Sequence, residues 1–218
     1  MVVAAPEPKA ESLSTPVGEQ RVVLHGVSWD AYLQILDALP QSRSARLTYD
    51  EGVLEITVPL EDHEFSGRLI ECFIRTLVEV LGLRIKTMGS TTMNYPFLQK
   101  GAEPDNAYYI QSQPLVKGRN VDFAQDPPPD LVVEVDITHT DIRKNQFYAR
   151  IGVPELWRFN GKVWRIYRIE SGEYVEVEVS PTFPQVTKDQ LYQFLTHAKD
   201  DEVEAVQALR VAMTSLGV

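Results

Sequence analysis

The sequence predicts one α/β domain built on a mixed β-sheet of about six to eight strands flanked by helices. Three observations carry this. The chain has 218 residues, 44% of them hydrophobic, enough for one substantial core and no reason to postulate two. Runs of helical periodicity alternate with short β-branched runs separated by Gly or Pro. One of those runs, Leu131 to Ile137, reads as an interior strand.

Residues 1 to about 20 are rich in Ala, Pro, Glu and Ser without apolar periodicity and read as a disordered tail. From Ser28, a capping residue followed by apolar residues at helical spacing and then Pro40 predicts a short amphipathic helix packed outside a sheet. Arg46–Tyr49 and Val53–Val58 flank Asp50, Glu51 and Gly52, a hairpin signal. Phe65, Leu69, Phe73, Leu77 and Val80 recur at spacings of three and four, so 63–81 is a mostly buried helix that Gly82 ends.

Strands are expected over 84–88, 107–110, 131–137, 155–159, 163–169 and 174–179, the last three a meander turned at Asn160-Gly161 and Ser171-Gly172. A second short helix opens at Thr140 or Asp141 and runs to Ile151, where Gly152-Val153-Pro154 closes it. Residues 188–216 carry one or two amphipathic helices broken near 198–201, which pack on the domain or mediate dimerisation. The domain proper thus spans 21–186 and a C-terminal helical segment 187–218.

No apolar run approaches the roughly 20 residues of a membrane span, and the opening residues are too short for a secretory signal, so a cytoplasmic protein is expected. Cys72 is the single cysteine, which excludes an internal disulfide and a cysteine-based zinc site and reads as a core thiol. Lys and Arg total 21 against 31 for Asp and Glu, a formal charge of −10, which disfavours bulk electrostatic binding of polyanions. A local basic groove stays open, because basic residues recur at 143, 144, 150, 158, 162, 165 and 168; the alternative is a mixed, solvated surface.

The chemistry concentrates in Pro129-Asp130-Leu131-Val132-Val133-Glu134-Val135-Asp136-Ile137. Strand alternation puts Glu134 and Asp136 on one face with Val132, and Val133 and Val135 on the other. Two like charges side by side in an interior strand cost several kcal/mol unless a cation neutralises them, and a metal ion is the usual remedy. The alternative is that Asp136 caps the following helix while Glu134 pairs with an arginine. Glu103-Pro104-Asp105 precedes another strand, and Asp105 meets Glu134 if the two strands are neighbours. Carboxylates with carbonyl and water oxygens suit Mg²⁺ or Mn²⁺. Taken alone, Glu103-Pro104-Asp105 is also an ordinary turn.

Lys144 opens the helix after the acidic strand, with Tyr148 one turn further on the same face. It is either a site residue that stabilises charge on a phosphoryl group or a surface lysine. His63 begins the long helix and is either a site residue or a capping or surface histidine; Glu71, on the same helix, is a further candidate acid.

The ordered series Glu103-Pro104-Asp105, Pro129 to Val135, Lys144, Tyr148 and Gly152-Val153-Pro154-Glu155-Leu156-Trp157 resembles the Uma-two family of restriction-endonuclease-like proteins, numerous in cyanobacteria. That family belongs to the PD-(D/E)XK nuclease superfamily, and the resemblance covers about residues 20 to 185. It implies a restriction-endonuclease-like sheet flanked by helices, with Asp105 as the first acid and Glu134 as the second. Mg²⁺ or Mn²⁺ would be held by Asp105, Glu134 and the main-chain carbonyl of Val135, and DNA would be the substrate. Asp136 stands where the standard pattern has a lysine, and Lys144 replaces that lysine from the helix. Catalytic Asp105, Glu134 and Lys144 are therefore expected, with Asp136, Glu103, His63, Glu71 and Tyr148 as additional site candidates and a homodimer as the assembly. The competing expectation is a catalytically weak metal-binding or protein-interaction domain on the same fold.

Overall fold

Ser28 caps the first helix as its side chain predicts: its hydroxyl accepts the amide of Ala31, and helix α1 runs from Trp29 to Ala38. It follows an edge strand, β1 (Gln20–His25), and precedes the hairpin β2 (Arg46–Asp50) and β3 (Val53–Val58). The turn between them places Glu51 and Gly52 at positive φ, which the glycine adopts without strain. The computed structural model describes residues 20–40, 42–136 and 142–215. The expected tail therefore lies outside the described residues except for Gln20, which already belongs to β1.

Helix α2 (Glu61–Val80) buries Leu69, Ile70, Phe73, Ile74 and Leu77, and Gly82 follows it at a φ of 63°. Then come β4 (Lys86–Thr87), β5 (Met93–Tyr95), β6 (Lys100–Ala102), β7 (Asn106–Tyr109) and the short α3 (Gln113–Val116). Strand β8 (Leu131–Val135) leads to α4 (Lys144–Arg150), and β9 (Glu155–Phe159), β10 (Trp164–Glu170) and β11 (Glu173–Val177) form the meander. Two helices close the chain, α5 (Lys188–Ala198) and α6 (Glu202–Ser215). The expected start of α4 at Thr140 or Asp141, and Ile137 at the end of β8, lie outside the described residues.

The strands divide into two sheets where one was expected. The six-stranded sheet has the order β11-β10-β9-β8-β7-β4 and is mixed, because β8 and β9 pair in parallel while its other pairs are antiparallel. The five-stranded sheet, β1-β3-β2-β6-β5, is antiparallel throughout. Helices flank both.

Alternation along β8 sorts its side chains as expected. Leu131, Val133 and Val135 join α2, α5 and α6 in one core, through Phe73, Leu77, Phe194 and Leu209 among others. Val132 faces the other way, into a cluster with Phe147 and Tyr148 of α4 and with Met93, Tyr95 and Ala102 of the second sheet. That second cluster joins the two sheets, and the polar end of the same face of β8 forms the floor of a cleft. A third cluster, Tyr32, Leu47, Tyr49 and Leu54, packs α1 on the five-stranded sheet. The terminal helices thus pack on α2, the first of the two alternatives. Cys72 is only partly buried, at the margin of the first core.

Candidate metal centre

The antiparallel register of β7 and β8 pairs Asn106 with Val133 and Ala107 with Val132. Carried one step further, it sets Asp105 opposite Glu134, so that their side chains leave the sheet on the same face. The Asp105 carboxylate also ties the two chain segments together, since its Oδ2 accepts the amide of Val135 at 2.5 Å. Both acids are buried. They line a cleft with Asp136, Lys144, His63 and Arg46, among others.

Each described carboxylate here stands beside a cation. Lys144 Nζ donates to Glu134 Oε2 at 2.6 Å and to Asp136 Oδ1 at 2.9 Å. Tyr148 donates its hydroxyl to the other oxygen of Glu134. Arg158, which the parallel register sets beside Glu134, donates from Nε to Asp136 Oδ2 at 2.7 Å and from Nη1 to Asn145 at 2.9 Å. Across the cleft, Arg46 of β2 pairs with Asp105 Oδ1 and reaches Glu64 with its other amino group. His63 Nε2 lies 3.4 Å from Asp105 Oδ2.

These contacts set the protonation states. Burial opposes charge on Asp136, but Lys144 and Arg158 outweigh it and hold the carboxyl below its ordinary range. Burial likewise opposes the Lys144 ammonium, and Glu134 and Asp136 more than compensate, so its pKa is raised. Tyr148 stays protonated: burial, then the neighbouring Glu134, push its hydroxyl well up. Burial, then Arg46 and Lys144, lower His63 to about 4. The imidazole is therefore neutral near neutral pH, because burial and these two cations outweigh the opposing effects of Glu64 and of the Val135 backbone hydrogen bond.

Lys144, the first residue of α4, thus faces the acids and is not a surface lysine. Asp136 is a partner of Lys144 and Arg158; α4 has Arg143 at its N-cap with no side-chain bond. His63 is buried inside α2, whose N-cap is Leu60, so it is neither a capping nor a surface histidine. Tyr148 joins the network, whereas Glu103 borders the cleft with its oxygens taken by Arg43, Thr92 and the amide of Leu47. Glu71 pairs with Arg68 and Arg75 on α2, away from the cleft.

The basic residues of 143–168 do not share a groove. Arg165 and Arg168, three apart on β10, leave opposite faces, and Arg150 pairs with Glu51. Sequence reasoning passed over Arg46 and Arg158 as site residues. Arg158 carried a signal, being a charge inside the buried run of β9, opposite an acidic strand. Arg46 carried none, since it arrives from the other sheet.

The donor set fits a hard divalent ion. The register sets Asp105 and Glu134 opposite one another with lone pairs to spare on their carboxylates, and the main-chain carbonyl of Val135 follows Glu134 directly. His63 Nδ1 is buried with no hydrogen-bond partner, a polar atom left over inside the site. Among the described residues, no group of three or more His, Cys, Asp and Glu side chains is placed to hold a metal, so the third protein ligand would come from the main chain.

The family model Uma2, described as "Putative restriction endonuclease", matches residues 29–196. A search of curated proteins finds no match. Among solved structures, the chain is similar to one described as a "putative nuclease belonging to DUF820" from Anabaena variabilis ATCC 29413. The identity is 19% and the TM-score 0.53, over 77% of this chain and 98% of that one, a likeness of fold.

Proposed function

We propose, for a chain that belongs to the Uma2 family, that the cleft at the ends of β7 and β8 hydrolyses DNA phosphodiester bonds with Mg²⁺ or Mn²⁺. The observation that carries this reading is the register that sets Asp105 opposite Glu134, with Lys144 2.6 Å from Glu134. Asp105, Glu134 and the Val135 carbonyl would hold the ion. Bound there, the ion would act as a Lewis acid toward the phosphoryl oxygens and would lower the pKa of a bound water.

The chain's own residues supply position and charge. Lys144 keeps its proton, so it serves as a fixed cation beside the phosphoryl group, not as a base. Tyr148 and Lys144 each hold one oxygen of Glu134 and fix its plane. Asp136 holds Lys144 in turn, and Arg158 holds Asp136. Asp136, at the position of the motif lysine, thus recruits the ammonium that α4 delivers.

Cleavage of plasmid and single-stranded DNA by the purified protein with Mg²⁺ or Mn²⁺ tests this. The wild type should cut, and Glu134→Ala and Lys144→Ala should not. A wild type no faster than Glu134→Ala would end the nuclease reading. A second reading, a metal-binding or protein-interaction domain without turnover, is favoured by one observation: Lys144 is clasped by two carboxylates and is not free to meet a substrate. Metal binding without cleavage would select it. Among the described residues no helix is long and apolar enough to cross a membrane.

A further inference from the structure

We propose that Arg46 is a resident counter-cation that occupies the divalent ion's place on Asp105 and must yield it when the ion binds. The inference rests on the metal reading of the same site. Of the two Asp105 oxygens, Oδ2 is engaged by the Val135 amide at 2.5 Å and lies 3.4 Å from His63, whereas Oδ1 meets Arg46 alone among the described contacts. An ion shared with Glu134 needs an oxygen of Asp105, and Oδ1 is the one whose partner can leave without breaking the backbone tie to β8. A buried carboxylate without a counter-charge is costly, so the guanidinium stabilises the ion-free site. A guanidinium beside a divalent ion is repelled.

Arg46 has somewhere to go, which Lys144 does not. Its other amino group already holds Glu64, whose side chain is 40% exposed. It also borders a second, open groove lined by Arg43, Ser44, Arg68, Ser90 and Thr91. Lys144, by contrast, is clamped between Glu134 and Asp136. Withdrawal of Arg46 toward Glu64 frees Oδ1, keeps the arginine paired, and carries its charge from the carboxylates into the groove.

The test is Mg²⁺ binding by calorimetry to the wild type, Arg46→Met and Arg46→Lys, with Arg Nε resonances followed by NMR in the wild type during the same titration. Arg46→Met, which keeps bulk and removes charge, should bind Mg²⁺ about tenfold more tightly, equivalent to about 1.4 kcal/mol. Arg46→Lys should stay close to the wild type, and the Arg46 resonance, assigned by its loss in Arg46→Lys, should move on Mg²⁺ addition. Equal or weaker binding by Arg46→Met, or an unmoved Arg46 resonance at saturating Mg²⁺, would overturn the proposal while leaving the metal site standing. Absence of binding by all three proteins would remove the metal reading itself and this inference with it.

Discussion

The ammonium of Lys144 on α4 lies 2.6 Å from Glu134 on β8 and 2.9 Å from Asp136 two residues later. One cation therefore holds both carboxylates that the strand projects on the same face, and Arg158 secures the second of them. This relationship lets an interior strand carry two acids. It also makes α4 part of the site rather than a mere connection between the parallel strands β8 and β9.

Removing that cation should destabilise the fold as well as the site. Lys144→Ala leaves Glu134 without its ion pair and Asp136 with Arg158 alone. Breaking a buried pair from one side costs about 3 kcal/mol. Urea unfolding of the variant checks this, and a loss below about 0.5 kcal/mol, the range of an exposed surface pair, would argue against a buried network.

Tyr148→Phe should separate orientation from charge. The variant keeps the ring packed with Phe147 but deletes the hydroxyl that holds Glu134. A hydrogen bond to a buried carboxylate contributes about 2 kcal/mol. The variant should lose that much stability and should cut DNA more slowly at unchanged Mg²⁺ affinity. Wild-type rates in Tyr148→Phe would show that the Glu134 plane needs no such support.

Acid should weaken the protein in two stages. His63 has a folded pKa lowered from 6.5 to about 4, so between these values the unfolded chain takes up a proton that the folded one refuses. Stability therefore falls as pH drops from 6.5 and stops falling near 4, and the difference corresponds to about 3 kcal/mol at most. Asp136 acts below that: its folded pKa is lowered, so its contribution is present above the ordinary carboxylate pKa and is lost as pH falls through the lowered value. Denaturation across this range should show the first stage in the wild type and not in His63→Gln. An equal slope in both would assign it to other groups.

Gly101 of β6 should not accept a side chain. A Cβ there would lie 2.4 Å from the Tyr32 hydroxyl and 2.6 Å from Asn94 Oδ1, atoms that are themselves hydrogen-bonded at 2.8 Å. Gly101→Ala should cost about 2 kcal/mol through overpacking, measured by thermal unfolding. A melting point equal to the wild type would mean that this joint between α1 and the second sheet is looser than its distances indicate.

Much of this architecture was legible because its signals are local. The Ser28 cap, the apolar stripe of α2, the alternation of β8 and the turn residues of the meander each lie within a few positions of what they determine. Of the second sheet, only the β2–β3 hairpin was. Strands β5 and β6 have three residues each, and Lys100-Gly101-Ala102 has no β-branched residue to announce a strand. It becomes one by pairing with β2, about fifty residues earlier in the chain. Likewise β1 is an edge strand with Val22 and Leu24 exposed, so it lacks the buried alternation that announces a strand. In the site, the acids and Lys144 were readable from one strand and the helix after it, whereas Arg46 is brought to Asp105 by tertiary packing alone.

The most direct test is anomalous diffraction from crystals soaked in Mn²⁺. One peak is expected between β7 and β8, with an Asp105 and a Glu134 oxygen both coordinated, the Val135 carbonyl facing the ion, and Arg46 withdrawn from Oδ1. At saturating Mn²⁺, an intact Arg46–Asp105 pair and no ion shared by Asp105 and Glu134 would contradict this expectation.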